Sequence, residues 1–209
     1  MRHILALASS LLVMGCGQAA PHQEPSMARR SAPASAAISL ARVAPKGAAA
    51  AIAVSSAAVG ADGSLDLRHS AYGANLSPPL TWTPATGAGA YAVILEDPDA
   101  PGAAPFVHWV IWNIPGTQTS LAEGLSNVGR LASPQGALQG RNDAGGIGYF
   151  GPRPPAGTGV HHYHVQVFAL DGPLSLTAES DPNALVGAMQ GRVLADGELI
   201  ATFAAPPPH

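Results

Sequence analysis

The sequence predicts a mainly β protein, a sandwich of short strands with one or two helices outside it. Three observations carry this reading. The 209 residues include 24 glycines and 20 prolines, which divide a chain into turns and short strands rather than long helices. Three runs, Ala90–Glu96, Phe106–Ile114 and Tyr163–Leu170, are rich in aromatic and β-branched side chains and are bounded by Gly, Pro or Asp. One segment alone, around Leu185, repeats apolar residues at helical spacing.

Taken from the N-terminus, residues 1–16 read as a signal peptide. Arg2 gives a positive start, Ile4 to Met14 form an apolar stretch too short to span a bilayer, and Val13-Met14-Gly15-Cys16 follows. That order resembles the lipobox of bacterial lipoproteins, which implies lipidation of Cys16 and a membrane anchor. Gln18 is similar to the mature-side residue of outer-membrane lipoproteins, which would place the chain on the periplasmic face of a Gram-negative envelope. The alternative is an ordinary secretory signal cut near Ala19, releasing a soluble periplasmic or secreted protein. Residues 17–51 are Ala, Ser, Pro and Gly with scattered charge and no aromatic residue, so they are expected to form a disordered linker. The folded domain should occupy residues 52–204, with a short tail at 205–209.

Within that domain, Val93-Ile94-Leu95 and Trp109-Val110-Ile111-Trp112 are apolar without alternation, as in central strands buried on both faces. Weaker strands are expected at Ala51–Ala58, Leu80–Trp82 and Leu199–Phe203. The helix should start at an Asp181 cap with Pro182 in its first turn, present Leu185, Met189 and Val193 on one face, and end by Gly197.

Composition also sets exclusions. Net charge is −3 with histidine neutral, and only 11% of residues are charged, so no basic footprint for nucleic acid exists. A single cysteine, Cys16, rules out an internal disulfide and a cysteine-rich zinc site. The Gly-rich stretch at 145–151 lacks the Lys-Ser/Thr of a phosphate-binding P-loop, and no Gly-x-Ser-x-Gly elbow marks a hydrolase.

The polar residues able to do chemistry cluster in four places: Glu96 to Pro101, Val107-His108-Trp109, Gly140 to Asp143, and Gly148 to Tyr163. Alternation in Val160-His161-His162-Tyr163-His164 sends His161 and Tyr163 to one face and His162 and His164 to the other, which argues against a shared metal site. If Asp97 and His108 lie beside the first face, they form with His161 and Tyr163 a pocket of two imidazoles, a phenol and a carboxylate. Imidazole and phenol can donate to an oxyanion, the carboxylate can fix a histidine tautomer, and nearby glycines allow backbone N–H groups to approach. Arg141 could hold phosphate or simply knit loops, with Asp143 as a structural acceptor.

Asn75-Leu76-Ser77-Pro78-Pro79-Leu80-Thr81-Trp82, Asp97-Pro98-Asp99-Ala100-Pro101, His108 to Pro115, Gln139 to Asp143, and Gly151-Pro152-Arg153-Pro154-Pro155 through Gly159, His161 and Tyr163 together carry a family resemblance. In unbroken order over about residues 52–203, they resemble the phosphatidylethanolamine-binding protein family, and most of all its bacterial Raf-kinase-inhibitor-like branch. The likeness implies a Greek-key β-sandwich with a small anion-binding cavity lined by Asp97, His108, Gly151, Pro155, His161 and Tyr163. Asp99, Pro101, Arg141 and Asp143 would support it. It also implies at least one cis bond at Ala100–Pro101 or Ala104–Pro105. No cofactor, no metal and no enzymatic activity are expected. The implied function is binding of a small phosphate- or carboxylate-bearing ligand or a phospholipid head group; the alternative is a regulator or inhibitor that acts on a kinase or protease through protein contact.

Overall fold

The computed structural model describes residues 38–43, 45–46 and 50–207, so the signal peptide, Cys16 and the last two residues lie outside the described residues. The strands in chain order are β1 (Ala50–Ala51), β2 (Val54–Ser55), β3 (Leu80–Trp82), β4 (Ala90–Asp97), β5 (Phe106–Pro115), β6 (Ser120–Leu121), β7 (Leu138–Gln139), β8 (Val160–Leu170) and β9 (Val193–Ala204). Helices are α1 (Ser39–Arg42) and α2 (Pro182–Met189), with a 3-10 turn at Leu67–His69. Six strands form one sheet in the order β1-β9-β8-β4-β5-β7, and β2-β3-β6 form a second. The mainly β, two-sheet architecture is therefore the one that the sequence predicts.

The two unbroken apolar runs are explained by layers on both faces of the larger sheet. Tyr91, Val93 and Leu95 of β4, with Trp109 and Ile111 of β5, pack into the layer that also holds Leu80 and Trp82 of the smaller sheet. Their alternate neighbours Ala92, Ile94, Val110 and Trp112 pack instead with Leu185, Val186 and Met189 of α2. Alternation carries through to the end of β4, where Glu96 takes the helix side and Asp97 the other.

Strand β5 departs from strict alternation at one functional point. Leu95 pairs with Trp109 and Glu96 with Val107, so His108 has no partner on β4. It is the extra residue of a β-bulge, a feature that bends a strand and re-aims a side chain. Regular counting back from Val110 and Trp112 would put His108 on the helix side; the bulge instead turns it toward Tyr163 and Phe106, at ring distances of 5.3 and 4.8 Å. A second irregularity, near Asn113 with φ of 56°, is held by reciprocal bonds between the Asn113 amide and the Leu174 backbone.

Several expectations are corrected. The helix ends at Met189, because Gly191 takes a left-handed φ of 67° and the chain re-enters the sheet. Val193 thus begins β9 and Gly197 lies inside it, where a Cβ would sit 1.9 Å from the Ile52 carbonyl oxygen. The expected strand at Ala51–Ala58 is two short strands in different sheets. Ala100–Pro101 and Ala104–Pro105 are both trans, and the cis bond among the described residues is Ser133–Pro134.

The expected linker is also shorter than composition implies. Ser39 is buried, and its backbone N–H and hydroxyl donate to the two carboxylate oxygens of buried Glu96 at 2.7 and 2.8 Å. Gln166 donates to the same carboxylate at 2.7 Å. Val43 enters the core under α2, Lys46 pairs with Asp171, and β1 runs parallel to β9. A buried carboxylate that gains three donors explains why so polar a segment orders here.

Candidate functional site

The C-terminal end of β4, the bulge of β5 and the start of β8 converge at one end of the larger sheet, under the loops 98–105 and 148–159. They enclose a cavity of about 360 Å³ lined by Asp97, Ala100, Pro101, Phe106, His108, Ala144, Phe150, Arg153, Pro154, Pro155 and His161. The walls are chiefly aromatic and proline carbon, with a few convergent polar groups, as ligand pockets usually are.

Its floor is a carboxylate–imidazole pair. Asp97 and His161 are 3% and 2% exposed, and His161 Nδ1 lies 2.8 Å from Asp97 Oδ2. The other oxygen, Oδ1, accepts the Asp99 backbone N–H at 2.8 Å, which closes a turn at the strand end. On the far side of the ring, His161 Nε2 lies 2.9 Å from Thr158 Oγ1, and that hydroxyl donates to the Pro155 carbonyl at 2.8 Å. Thr158 and Asp97 thus hold the His161 ring from its two nitrogens and fix its orientation in the cavity floor.

His108 stands beside the pair. Its Nδ1 donates to the Phe150 carbonyl at 2.7 Å, while the Phe150 N–H donates to the His108 carbonyl at 3.0 Å. Burial lowers its pKa to about 4, outweighing the Phe150 bond and the charges of Asp97 and Asp143. At neutral pH it is an uncharged imidazole whose Nε2 carries a lone pair. No described residue bonds to that nitrogen, and the ring lines the cavity.

The remaining sequence-predicted residues divide clearly. Pro101 and Pro155 line the cavity. Tyr163 is 1% exposed and lies behind the imidazoles, its ring edge-on to His108, rather than in the cavity wall. Its hydroxyl has no hydrogen-bond partner among the described residues, and burial together with the Asp97 charge pushes the phenol far above its ordinary value. Gly151 is not in the wall either. Its N–H donates to Asn75 Oδ1 at 2.7 Å, and a Cβ there would lie 2.3 Å from the His69 carbonyl oxygen, so it serves close packing. Asp99 accepts from the backbone and ring of His162 at 2.8 and 2.7 Å and braces the 98–105 loop. Asp143 exchanges two bonds with Val107 beside the bulge, at 2.7 and 2.9 Å. Arg141 faces outward in an exposed pair with Glu179.

The sequence does not mark several contributors as site residues, chief among them Phe106, Phe150, Arg153 and Thr158. Phe106 could have been found once its neighbour His108 was placed, and Thr158 from its three-residue spacing to His161. Arg153 lies inside the Gly151–Pro155 segment, whose pattern alone assigns it no role. It is exposed, lines the cavity, and has no ion-pair or hydrogen-bond partner among the described residues.

Comparison with known proteins bears on the family and the fold. A family model described as phosphatidylethanolamine-binding protein matches residues 55–204. A protein of Methanothermobacter thermautotrophicus named only as UPF0098 is 42% identical over 142 residues, covering 68% of this chain and 91% of that one. A Mycobacterium tuberculosis protein named as a candidate lipoprotein, LppC, is 37% identical over 148 residues and 68% of each chain. Among solved structures, Escherichia coli YbcL, titled a member of the mammalian PEBP family, superposes with a TM-score of 0.69 at 32% identity, over 75% of this chain and all of YbcL.

Proposed function

This chain belongs to the phosphatidylethanolamine-binding protein family, and from that premise we propose that it is a non-enzymatic binding protein that seats a small phosphate- or carboxylate-bearing group in the 360 Å³ cavity. One observation carries the reading. Arg153 is a guanidinium in the cavity wall without an ion-pair or hydrogen-bond partner among the described residues, while the one carboxylate of that wall, Asp97, is already engaged by His161 and the Asp99 N–H, and His108 is uncharged at neutral pH. A cation without a partner, set against apolar walls, favours a ligand that brings the negative charge. Phe106, Phe150 and the prolines would hold the carbon attached to that charge.

Mass spectrometry of small molecules released from natively purified protein should identify an organic phosphate or carboxylate, and Arg153→Ala protein should release much less of it. Absence of any such anion, together with no calorimetric binding of phosphate or carboxylate probes, would sink the reading. The likeness to LppC supports attachment of the domain to the cell envelope through Cys16, with the cavity presented outside the cytoplasmic membrane.

A further inference from the structure

We infer that the cavity selects oxyanions that bring their own hydrogen-bond donor, above all a phosphate monoester in its singly protonated, monoanionic form, because His108 presents a bare lone pair where the anion must sit. The inference rests on the anion-binding reading above and narrows its ligand class.

The geometry fixes the tautomer. A backbone carbonyl can only accept, so the 2.7 Å contact with the Phe150 oxygen requires the proton on His108 Nδ1. The bulge prevents an exchange of roles, since the Phe150 N–H is already committed to the His108 carbonyl at 3.0 Å. Nε2 is thus an acceptor on a residue only 3% exposed that lines the cavity, and it has no partner among the described residues. An anionic oxygen pressed against that lone pair is repelled; a P–OH in the same place donates to it.

The alternative, in which His108 takes up a proton to meet the anion, is opposed by its surroundings. Phe106, Phe150 and the edge of Tyr163 enclose the ring and deny a charge its solvent. The groups facing it are Asp97, Asp143, His161 and Tyr163. Asp97 is engaged by His161 and Asp99, and Asp143 by Val107. A group titrating near 4 is protonated in about one molecule in a thousand at pH 7, so a ligand that carries the proton itself avoids that penalty. Arg153 then meets the negative charge and His108 reads the proton.

Three probes separate these roles: methyl phosphate, dimethyl phosphate and methyl sulfate. All carry one negative charge at pH 5, and methyl phosphate alone keeps a P–OH, which it loses as it ionises near pH 6. Calorimetry on the purified full chain should show methyl phosphate binding at least about tenfold more tightly than the other two at pH 5, with the preference gone by pH 8. In His108→Leu no acceptor faces the ligand, so the preference should fall to about threefold or less. Nitrogen NMR supplies a second readout in wild-type protein: the Nε2 resonance of His108 should move with methyl phosphate and stay still with dimethyl phosphate. Equal affinities at pH 5, or tighter methyl phosphate binding at pH 8 than at pH 5, overturn the inference while leaving anion binding in place. Failure of all three probes to bind removes the anion-binding reading and this inference with it.

Discussion

Neutral, buried His108 makes stability depend on pH in a direction that can be worked out from its surroundings. The native side chain takes a proton only near pH 4, whereas the unfolded chain takes it at the ordinary 6.5. Between those values the unfolded state binds more protons, so stability is complete above about pH 6.5 and is lost as pH falls toward 4. The difference corresponds to about 3 kcal/mol, a large part of the 5–15 kcal/mol typical of a domain. His108→Gln removes the titration and keeps an N–H for the Phe150 carbonyl. Urea unfolding of both proteins at several pH values from 7.5 to 4.5 isolates the effect, because other ionisable groups contribute to both. The stability difference between wild type and variant should shift by about 2–3 kcal/mol against wild type over that range. Parallel curves would refute the reasoning, since they would mean that the histidine titrates alike in both states.

Four further predictions concern other parts of the molecule. Gly151→Ala, whose Cβ would lie 2.3 Å from the His69 oxygen, should cost about 3 kcal/mol or more and lower the melting temperature or soluble yield sharply. Ser39→Ala adds no bulk but removes a hydroxyl donor from buried Glu96, and should cost about 1–3 kcal/mol in urea unfolding. Deleting residues 1–46 should destabilise the domain by more than the Ser39 substitution does, because it also removes Val43 from the core and Lys46 from Asp171. Cys16→Ser should move the exported protein from the detergent phase to the aqueous phase in a phase-partition assay; an unmodified wild-type protein already in the aqueous phase would end the anchor proposal.

What the sequence made legible depended on how local the cause was. The placement of His161 and Tyr163 on one side of β8 follows from a period of two, and the chain obeys it. The central position of β4 and β5 follows from runs with no polar alternation, because two separate layers bury their two sides. By contrast, nothing within Phe106–Ile114 announces a bulge, which exists only in the pairing of β5 with β4. Val193 continued the four-residue spacing of α2 by coincidence, and the left-handed Gly191 decides the matter instead. Composition also misjudged residues 38–46, since an average over Ala, Ser and Pro hides three residues with specific partners: Ser39 with Glu96, Val43 in the core and Lys46 with Asp171. Site membership was hardest for Tyr163 and Gly151. Both sit close to the cavity in sequence, yet one is behind its wall and the other is wedged against the 69–71 backbone.

The unpaired position of His108 has a consequence for how the binding chemistry could be removed. On either side of it, Phe106, Val107 and Trp109 already face Asp97, Glu96 and Leu95 in a register that would be regular if residue 108 were absent. The imidazole is therefore a one-residue insertion into an otherwise continuous ladder. Excising that residue, rather than replacing it, should close the strand without turning any core side chain to the wrong side. The shortened chain would be a folded scaffold without its acceptor, distinguishable from wild type by ligand and not by strand content. In the same way, a lineage could gain or lose this recognition through a single codon inserted or deleted, while its hydrophobic layers stayed as they were.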